Sequence, residues 1–435
     1  MNQSAARQSR REIALDLYRS AAVLLVVIGH WLLSVMTYRD GEFGRDNPLV
    51  LMPFTQWITW LFQVVPVFFA VAGYASAVSW SREAPGSAAR QQWIRRRVAS
   101  TLGPTAVYAA FVLVVMVVLR VAGISGSVLE LGGWAVAMHL WFLAVYLMVV
   151  ALTPVAIAAH RRWGLAVPAA LGACLVLVDV LGIATGHPEI RMANYFFCWA
   201  TVYQLGIAFQ AGLLRRRTLL GTAAVAALAL PALLRWGPYP IAMIGVPGDR
   251  VENSAPPSAM LLALALVQIG VLFAIVPAVN RALNRGVWPA VIGVANNNVM
   301  ALYLWHMLPV VVVTLVGYPT GLLPQPPLGS GPWWLARLEW EVVLAVVAAL
   351  LLVVLHWQRR FVAAAIPTVA VPVGVVGAEL LLYAGTGACS LALALLSAQG
   401  FAPGGHLPVA AAVLFVVGAG CVAVRPRVPS SQQVR

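Results

Sequence analysis

Apolar residues fall along this chain in long blocks broken by short polar segments. The blocks cover approximately 13–36, 54–80, 102–121, 135–158, 165–183, 194–213, 219–234, 259–279, 291–316, 340–356, 362–383 and 407–424. Most approach or exceed the ~20 mainly apolar residues a helix needs to cross a bilayer. Twelve blocks predict an all-α, polytopic transmembrane helix bundle. The stretch 388–396 is too short to cross alone and is expected to be a re-entrant or interfacial piece. Length alone would suggest two or three soluble domains. Because the blocks run almost end to end, one bundle with no appended soluble domain is expected. The first block follows a basic segment, exceeds a signal-peptide core and lacks an A-x-A cleavage site, so a retained signal anchor is expected.

Composition agrees with this pattern. The 435 residues are 61% hydrophobic and 10% charged, against roughly 25% charged in soluble domains, and the mean hydropathy is +0.87. The formal charge of +14 comes from arginine alone, since the chain has no lysine. Its distribution decides what that charge means. With the N-terminus inside, the inward segments hold Arg7, Arg10, Arg11, Arg19, Arg82, Arg90, Arg95 to Arg97, Arg161, Arg162, Arg215 to Arg217, Arg281, Arg285, Arg359, Arg360, Arg425, Arg427 and Arg435. The outward segments hold only Arg39, Arg45, Arg120, Arg191, Arg235, Arg250 and Arg337. Arginine held on the cytoplasmic side orients membrane proteins, so both termini are placed in the cytoplasm of a cell-membrane protein and no nucleic-acid partner is expected. Omitting one span would invert every later loop, which favours an even count. Outward loops such as 236–258 and 317–334 are rich in Pro, Gly and aromatic residues and are expected to shape a vestibule or to be plain connectors. The four cysteines lie far apart without a C-x-x-C, as small buried hydrophobes; neither a disulfide framework nor a metal site is expected.

Ionisable side chains inside spans are costly and usually face a cavity or a partner. His30, Asp179, His306 and Glu379 lie within blocks, Asp16, Arg19, His139 and His356 lie nearer their ends, and Asn296, Asn297 and Asn298 open the ninth. Arg19 and His30 are eleven residues apart, about three helical turns, so they share one face roughly 16 Å apart. Asp16, one turn before Arg19, is placed to pair with it. An interfacial ion pair and a packing histidine are the plain alternatives; their coincidence on one face points to function. Arg95, Arg96 and Arg97 precede the third block, where charge and free backbone N–H groups at a helix start would suit phosphate. Taken alone, a positive-inside loop explains them better. Asp179 and Glu379 are candidates for orienting a histidine.

These residues resemble the membrane-bound acyltransferase 3 family of bacterial O-acyltransferases. Asp16, Arg19 and His30 match its D-x-x-R followed by R-x10-H. VPVFFAVAGYASA (65–77) is similar to its FF-x-x-S-G-[FY] segment through Phe68, Phe69, Gly73 and Tyr74, with Ala72 in place of serine. HLWFLAVYLMVVALTP (139–154) resembles the H-x-W-[FY]-L stretch, and NNNVMALYLWHMLPVV (296–311) the late Y-L-W-H segment. The family's R-x-x-R before a helix proline is displaced, since Val98 and Thr101 occupy those positions ahead of Pro104. The resemblance implies a ten-span core, here 1–360, with 361–435 as added spans and a short tail. It implies transfer of an acyl group, often acetyl, from acyl-CoA as donor substrate to a hydroxyl of a glycan, polysaccharide or glycosylated small molecule, with no tightly bound cofactor.

A hydroxyl attacking a thioester needs its proton removed, and imidazole, with an ordinary pKa near 6.5, suits that role. His30 is therefore the expected general base in a catalytic set with Arg19, Asp16 and His306, the last as alternative base or transition-state donor; the donor arm is expected along the Arg19–His30 face, with Arg95 to Arg97 holding the CoA phosphates. A transporter or flippase of a glycan or metabolite is the competing reading, since it would also use many spans, a midplane histidine and a charge pair. A ligand-sensing membrane regulator is the third.

Overall fold

A computed structural model describes residues 12–427. Arg7, Arg10, Arg11 and Arg435, counted above among inward arginines, lie outside the described residues. The described chain is mostly helical, and its helices of ten residues or more are, in order, α1 Ile13–Leu33, α2 Val65–Trp80, α3 Ser87–Val121, α4 Gly126–Ala135, α5 Trp141–Ala151, α6 Thr153–Trp163, α7 Ala166–Ala184 and α8 Asn194–Gln210. It continues with α9 Arg216–Trp236, α10 Ala259–Leu283, α11 Trp288–Trp305, α12 Met307–Gly317, α13 Gly331–Trp357, α14 Val375–Gln399 and α15 Val409–Ala423. Among the described residues nine helical stretches are long and apolar enough to cross a membrane, and α11 with α12, bent by 51° at His306, make a tenth. The protein is a multi-pass membrane helix bundle. Of the twelve expected spans, α8 and α15 fall short of that length, at 17 and 15 residues.

Several helices begin ahead of their expected blocks, α3 at Ser87, α4 at Gly126 and α13 at Gly331, and two further boundaries differ for reasons of backbone chemistry. The first block ends at Leu33, where the Ser34 hydroxyl donates to the His30 carbonyl and the chain enters a hairpin. Its strands, β1 Val35–Arg39 and β2 Glu42–Asp46, are antiparallel with Arg39 opposite Glu42. The two-residue loop Asp40–Gly41 has φ of 52° and 84°, the paired positive values of a type I′ turn. The block 362–383 is not one helix. Pro367 and Pro372 keep its first half extended, where β3 Val369–Val371 pairs in parallel with β4 Val424–Pro426. The helix begins at Val375 and runs through 388–396 to Gln399, so that stretch is neither re-entrant nor separate.

The centre of the bundle is aromatic. Phe69 stacks on Trp199 at 4.8 Å between ring centroids, and Phe68 and Phe69 both meet Phe142 edge-on, at 4.9 and 5.2 Å. This locks α2 against α5 and α8. The α2–α8 crossing is close enough that a Cβ at Gly206 would sit 1.9 Å from the Ala70 carbonyl oxygen, and one at Gly73 2.0 Å from that of Tyr203. Small residues let helices approach in this way where lipid offers no hydrophobic drive for association.

The C-terminal helices α14 and α15 pack along α3 as an antiparallel pair. Arg90 makes two 2.9 Å hydrogen bonds to the Glu379 carboxylate, Arg95 Nε donates to the Val422 carbonyl at 3.1 Å, and Arg120 donates to the Gly405 carbonyl. Glu379 is thus committed to Arg90 and orients no histidine. Asp179 is fully buried with Arg191: one oxygen accepts from Arg191 Nε at 2.7 Å, the other from the Tyr239 hydroxyl and the Ala259 N–H, at 2.7 and 2.8 Å. It ties the 236–258 loop to α7 and α10 and is likewise unavailable to a histidine.

Candidate functional site

The site forms where α1 runs beside α11. The two helices are parallel, because their contacts keep the same order: Arg19 meets Asn296 and His30 meets His306. Arg19 Nε donates to Asn296 Oδ1 at 2.9 Å, and the Ser20 hydroxyl reaches the same oxygen at 3.0 Å. Asp16 lies one turn earlier on α1. Two helices therefore carry a polar group near one end and an imidazole three turns further on.

His30 Nδ1 and His306 Nε2 are 2.8 Å apart. One of them must donate, and the surroundings settle which when the pair is neutral. His306 Nδ1 lies 2.7 Å from the Tyr303 carbonyl, and a carbonyl only accepts. His306 therefore carries its proton on Nδ1, and its Nε2 accepts from His30 Nδ1–H. His30 Nε2 is left with a free lone pair. These tautomers are assigned from the hydrogen-bond chain, in the way a base is held by a second polar group. His306 is buried at 1% exposure and His30 is half-buried, so the ring with the free nitrogen is the less enclosed of the two.

A third imidazole borders the pair. His139 packs edge-on against His306 at 4.9 Å between ring centroids, and the Tyr303 hydroxyl donates to the His139 carbonyl. The tether continues outward. Trp31 Nε1 donates to the His306 carbonyl at 2.8 Å. The Trp31 carbonyl accepts from Arg337 Nη2 at 2.9 Å and Trp340 Nε1 at 3.1 Å. Arg337 also reaches the Ser34 carbonyl and lies over the Trp340 ring, 5.1 Å from its centroid. A buried cation thus closes the C-terminal end of α1, where unpaired carbonyls favour positive charge. Arg337 and Trp31 were not picked out in the sequence, and Tyr303 entered only as the tyrosine of the Y-L-W-H segment. Arg337 counts there only as one of seven outward arginines, although an arginine within W-W-L-A-R-L-E-W, with Glu341 one turn on, signals a buried charge.

The structure brings His30, His306, Arg19 and Asn296 to one interface. It does not gather Arg95, Arg96 and Arg97. The helix begins at Ser87, two turns before them, so their backbone N–H groups lie inside α3 and not at a free helix start. Arg95 is buried against Val422, Arg96 pairs with Glu83, and Arg97 lies over the Trp93 ring at 5.5 Å.

A family model for an acyltransferase domain, that of acyltransferase 3, matches residues 12–358. No curated protein and no solved structure matches the chain.

Proposed function

The chain belongs to the acyltransferase 3 family, and from that membership we propose that it transfers an acyl group, acetyl in the simplest case, from acyl-CoA to a hydroxyl of a glycan, polysaccharide or glycosylated metabolite. The observation that carries this reading is the uncommitted His30 Nε2 at the end of a fixed hydrogen-bond chain. His30 Nε2 takes the proton of the acceptor hydroxyl as its oxygen attacks the thioester carbonyl carbon. The C–S bond then breaks, and the proton passes to the departing CoA thiolate. While His30 is doubly protonated, its Nδ1–H remains on His306 Nε2, which holds the ring in place. His306 acts as a positioning residue and not as the base.

The donor reaches the site from the cytoplasmic surface along the Arg19–His30 face of α1. Of the three arginines on α3, exposed Arg96 and half-buried Arg97 remain candidates for the CoA phosphates; Arg95 is engaged with the C-terminal helices. Residues 1–360 form the acyltransferase core and 361–435 an addition, a division supported by the family match ending at residue 358. We further propose twelve crossings, with both termini in the cytoplasm of the cell membrane. Parallel α1 and α11 require an odd number of crossings between them. Six stretches of crossing length lie there, and α8 supplies the seventh. Antiparallel α14 and α15, whose cytoplasmic ends meet through β3 and β4, add the last two.

The deciding experiment incubates the purified full-length protein with acetyl-CoA and envelope glycan fractions, measuring free CoA thiol and the mass of the glycan. Acetylated product with thiol release is expected. Vesicle-to-medium movement of unmodified glycan, without thiol release, would replace this reading with transport.

A further inference from the structure

A cavity of about 270 Å³ lies between strand β1, the loop after α12 and the first turns of α13, on the side that the proposed topology puts outside the cell. None of His30, His306 or Trp31 lines it, so it is a place apart from the imidazole pair. Its rim carries exposed Arg39 and Gln325, whereas Tyr318, Trp333, Arg337 and Trp340 in its wall are buried. The rim is neutralised: Arg39 pairs with Asp46 at 2.7 Å, and Gln325 is spent on the Tyr38 N–H and carbonyl, at 2.7 and 3.1 Å. Arg337 is not. At 6% exposure it forms no ion pair among the described residues, even with Glu341 one turn along α13. Its Nη2 donates to the Trp31 carbonyl at 2.9 Å, and Nη2 and Nη1 reach the Ser34 carbonyl only at 3.4 and 3.5 Å. A guanidinium has five N–H donors. These contacts use both hydrogens of Nη2 and one of Nη1, and Nε has no partner among the described residues.

A buried cation is costly without a counter-charge, and a planar guanidinium with donors to spare matches the two oxygens of a carboxylate. Part of its charge is already offset, by Glu341 and by the partial negative charge at the C-terminal end of α1. One more negative charge balances the site, and a phosphate dianion overshoots it. The rest of the wall sets the body of the ligand. The Tyr318 and Trp340 rings are parallel, 6.2 Å apart with 6° between planes, and Trp333 and Leu323 extend that apolar surface, which suits a flat aromatic group. The volume lies just under the ~300–1,000 Å³ of pockets for drug-sized ligands, which is room for one ring.

We infer that this cavity is a binding site for a small aromatic monocarboxylate, its carboxylate on Arg337 and its ring on the Tyr318–Trp340 wall. The site is separate from acyl transfer and needs neither donor nor acceptor. Its test is equilibrium dialysis of radiolabelled benzoate against the full-length protein in phosphatidylcholine nanodiscs, with empty nanodiscs as the blank. Saturable binding of one benzoate per chain is expected. Unlabelled benzamide keeps the ring without the charge, and inorganic phosphate the charge without the ring. Each should compete about tenfold or more less well than unlabelled benzoate, the scale of one charge-assisted hydrogen bond. Arg337→Gln should weaken benzoate binding by a similar factor. Because that variant also loosens the end of α1, Ala336→Phe gives an independent arm. Ala336 lines the cavity, so the added ring takes up its space while Arg337 keeps its carbonyl partners, and benzoate binding should again weaken about tenfold or more. The assignment is overturned by the absence of saturable benzoate binding or by equal competition from benzamide or phosphate. It is equally overturned by unchanged affinity in Ala336→Phe or in a folded Arg337→Gln.

Discussion

At the scale of single residues, the site rests on one nitrogen. If His30 Nε2 is the base, His30→Ala should lower acetyl transfer by about 10²–10⁴-fold with unchanged expression and membrane insertion, read as CoA thiol release by purified protein. His306 should behave differently. His306→Ala leaves His30 Nδ1–H without its acceptor, whereas His306→Gln offers an amide oxygen; kcat should fall in both, with the glutamine variant recovering part of the loss. Equal loss in both would show that the imidazole itself is needed. His30, Arg19 and His306 were legible in the sequence because charge or imidazole in an apolar run stands out. Their partners were not. That His30 meets His306 depends on a contact 276 positions away in sequence, and the expected Asp16–Arg19 pairing said nothing of Asn296, which takes the Arg19 Nε–H.

At the scale of elements, the apolar runs placed many helices to within a few residues, missed the polar first turns of α3 and α13, and failed where backbone chemistry overrode hydropathy. The D-G of Arg39–Asp40–Gly41–Glu42 is a strong hairpin signal that a search for spans passes over. Pro367 and Pro372 should have ended the eleventh block, but small apolar residues around them keep hydropathy high. The small residues Ala384, Gly385, Thr386 and Gly387, conversely, fall between 362–383 and 388–396 and made one continuous helix look like two. Close packing gives an element-scale prediction. Gly206→Ala drives a methyl group into the Ala70 carbonyl and should cost about 1–3 kcal/mol as overpacking, seen as a lowered melting temperature in detergent. Gly221→Ala, with nothing within 4 Å of its added carbon, should be neutral or stabilising by up to ~1 kcal/mol, since alanine is the better helix former.

At the scale of the whole molecule, α14 and α15 brace α3, and α14 also lies against α5 and donates from Ser397 to the Met138 carbonyl beside His139. Deleting 361–435 strips Arg90 of Glu379 and leaves buried Arg95 without Val422, so the melting temperature should fall. Among the described residues no hydrogen-bond partner of His30 or His306 lies in that segment, so kcat of the surviving folded protein should stay near that of the full chain. The bundle's architecture was legible because lipid demands long apolar helices; the brace was not, because it depends on which helix lies beside α3. The 51° bend at His306 has a consequence for proton placement. In a continuous helix the Tyr303 carbonyl would be committed to the Met307 amide, four residues on. Bending the chain there turns that oxygen toward the imidazole of His306, so the break in the helix is what decides where each ring keeps its hydrogen. A substitution that straightened α11 into α12 would leave both histidines present and their protons unassigned.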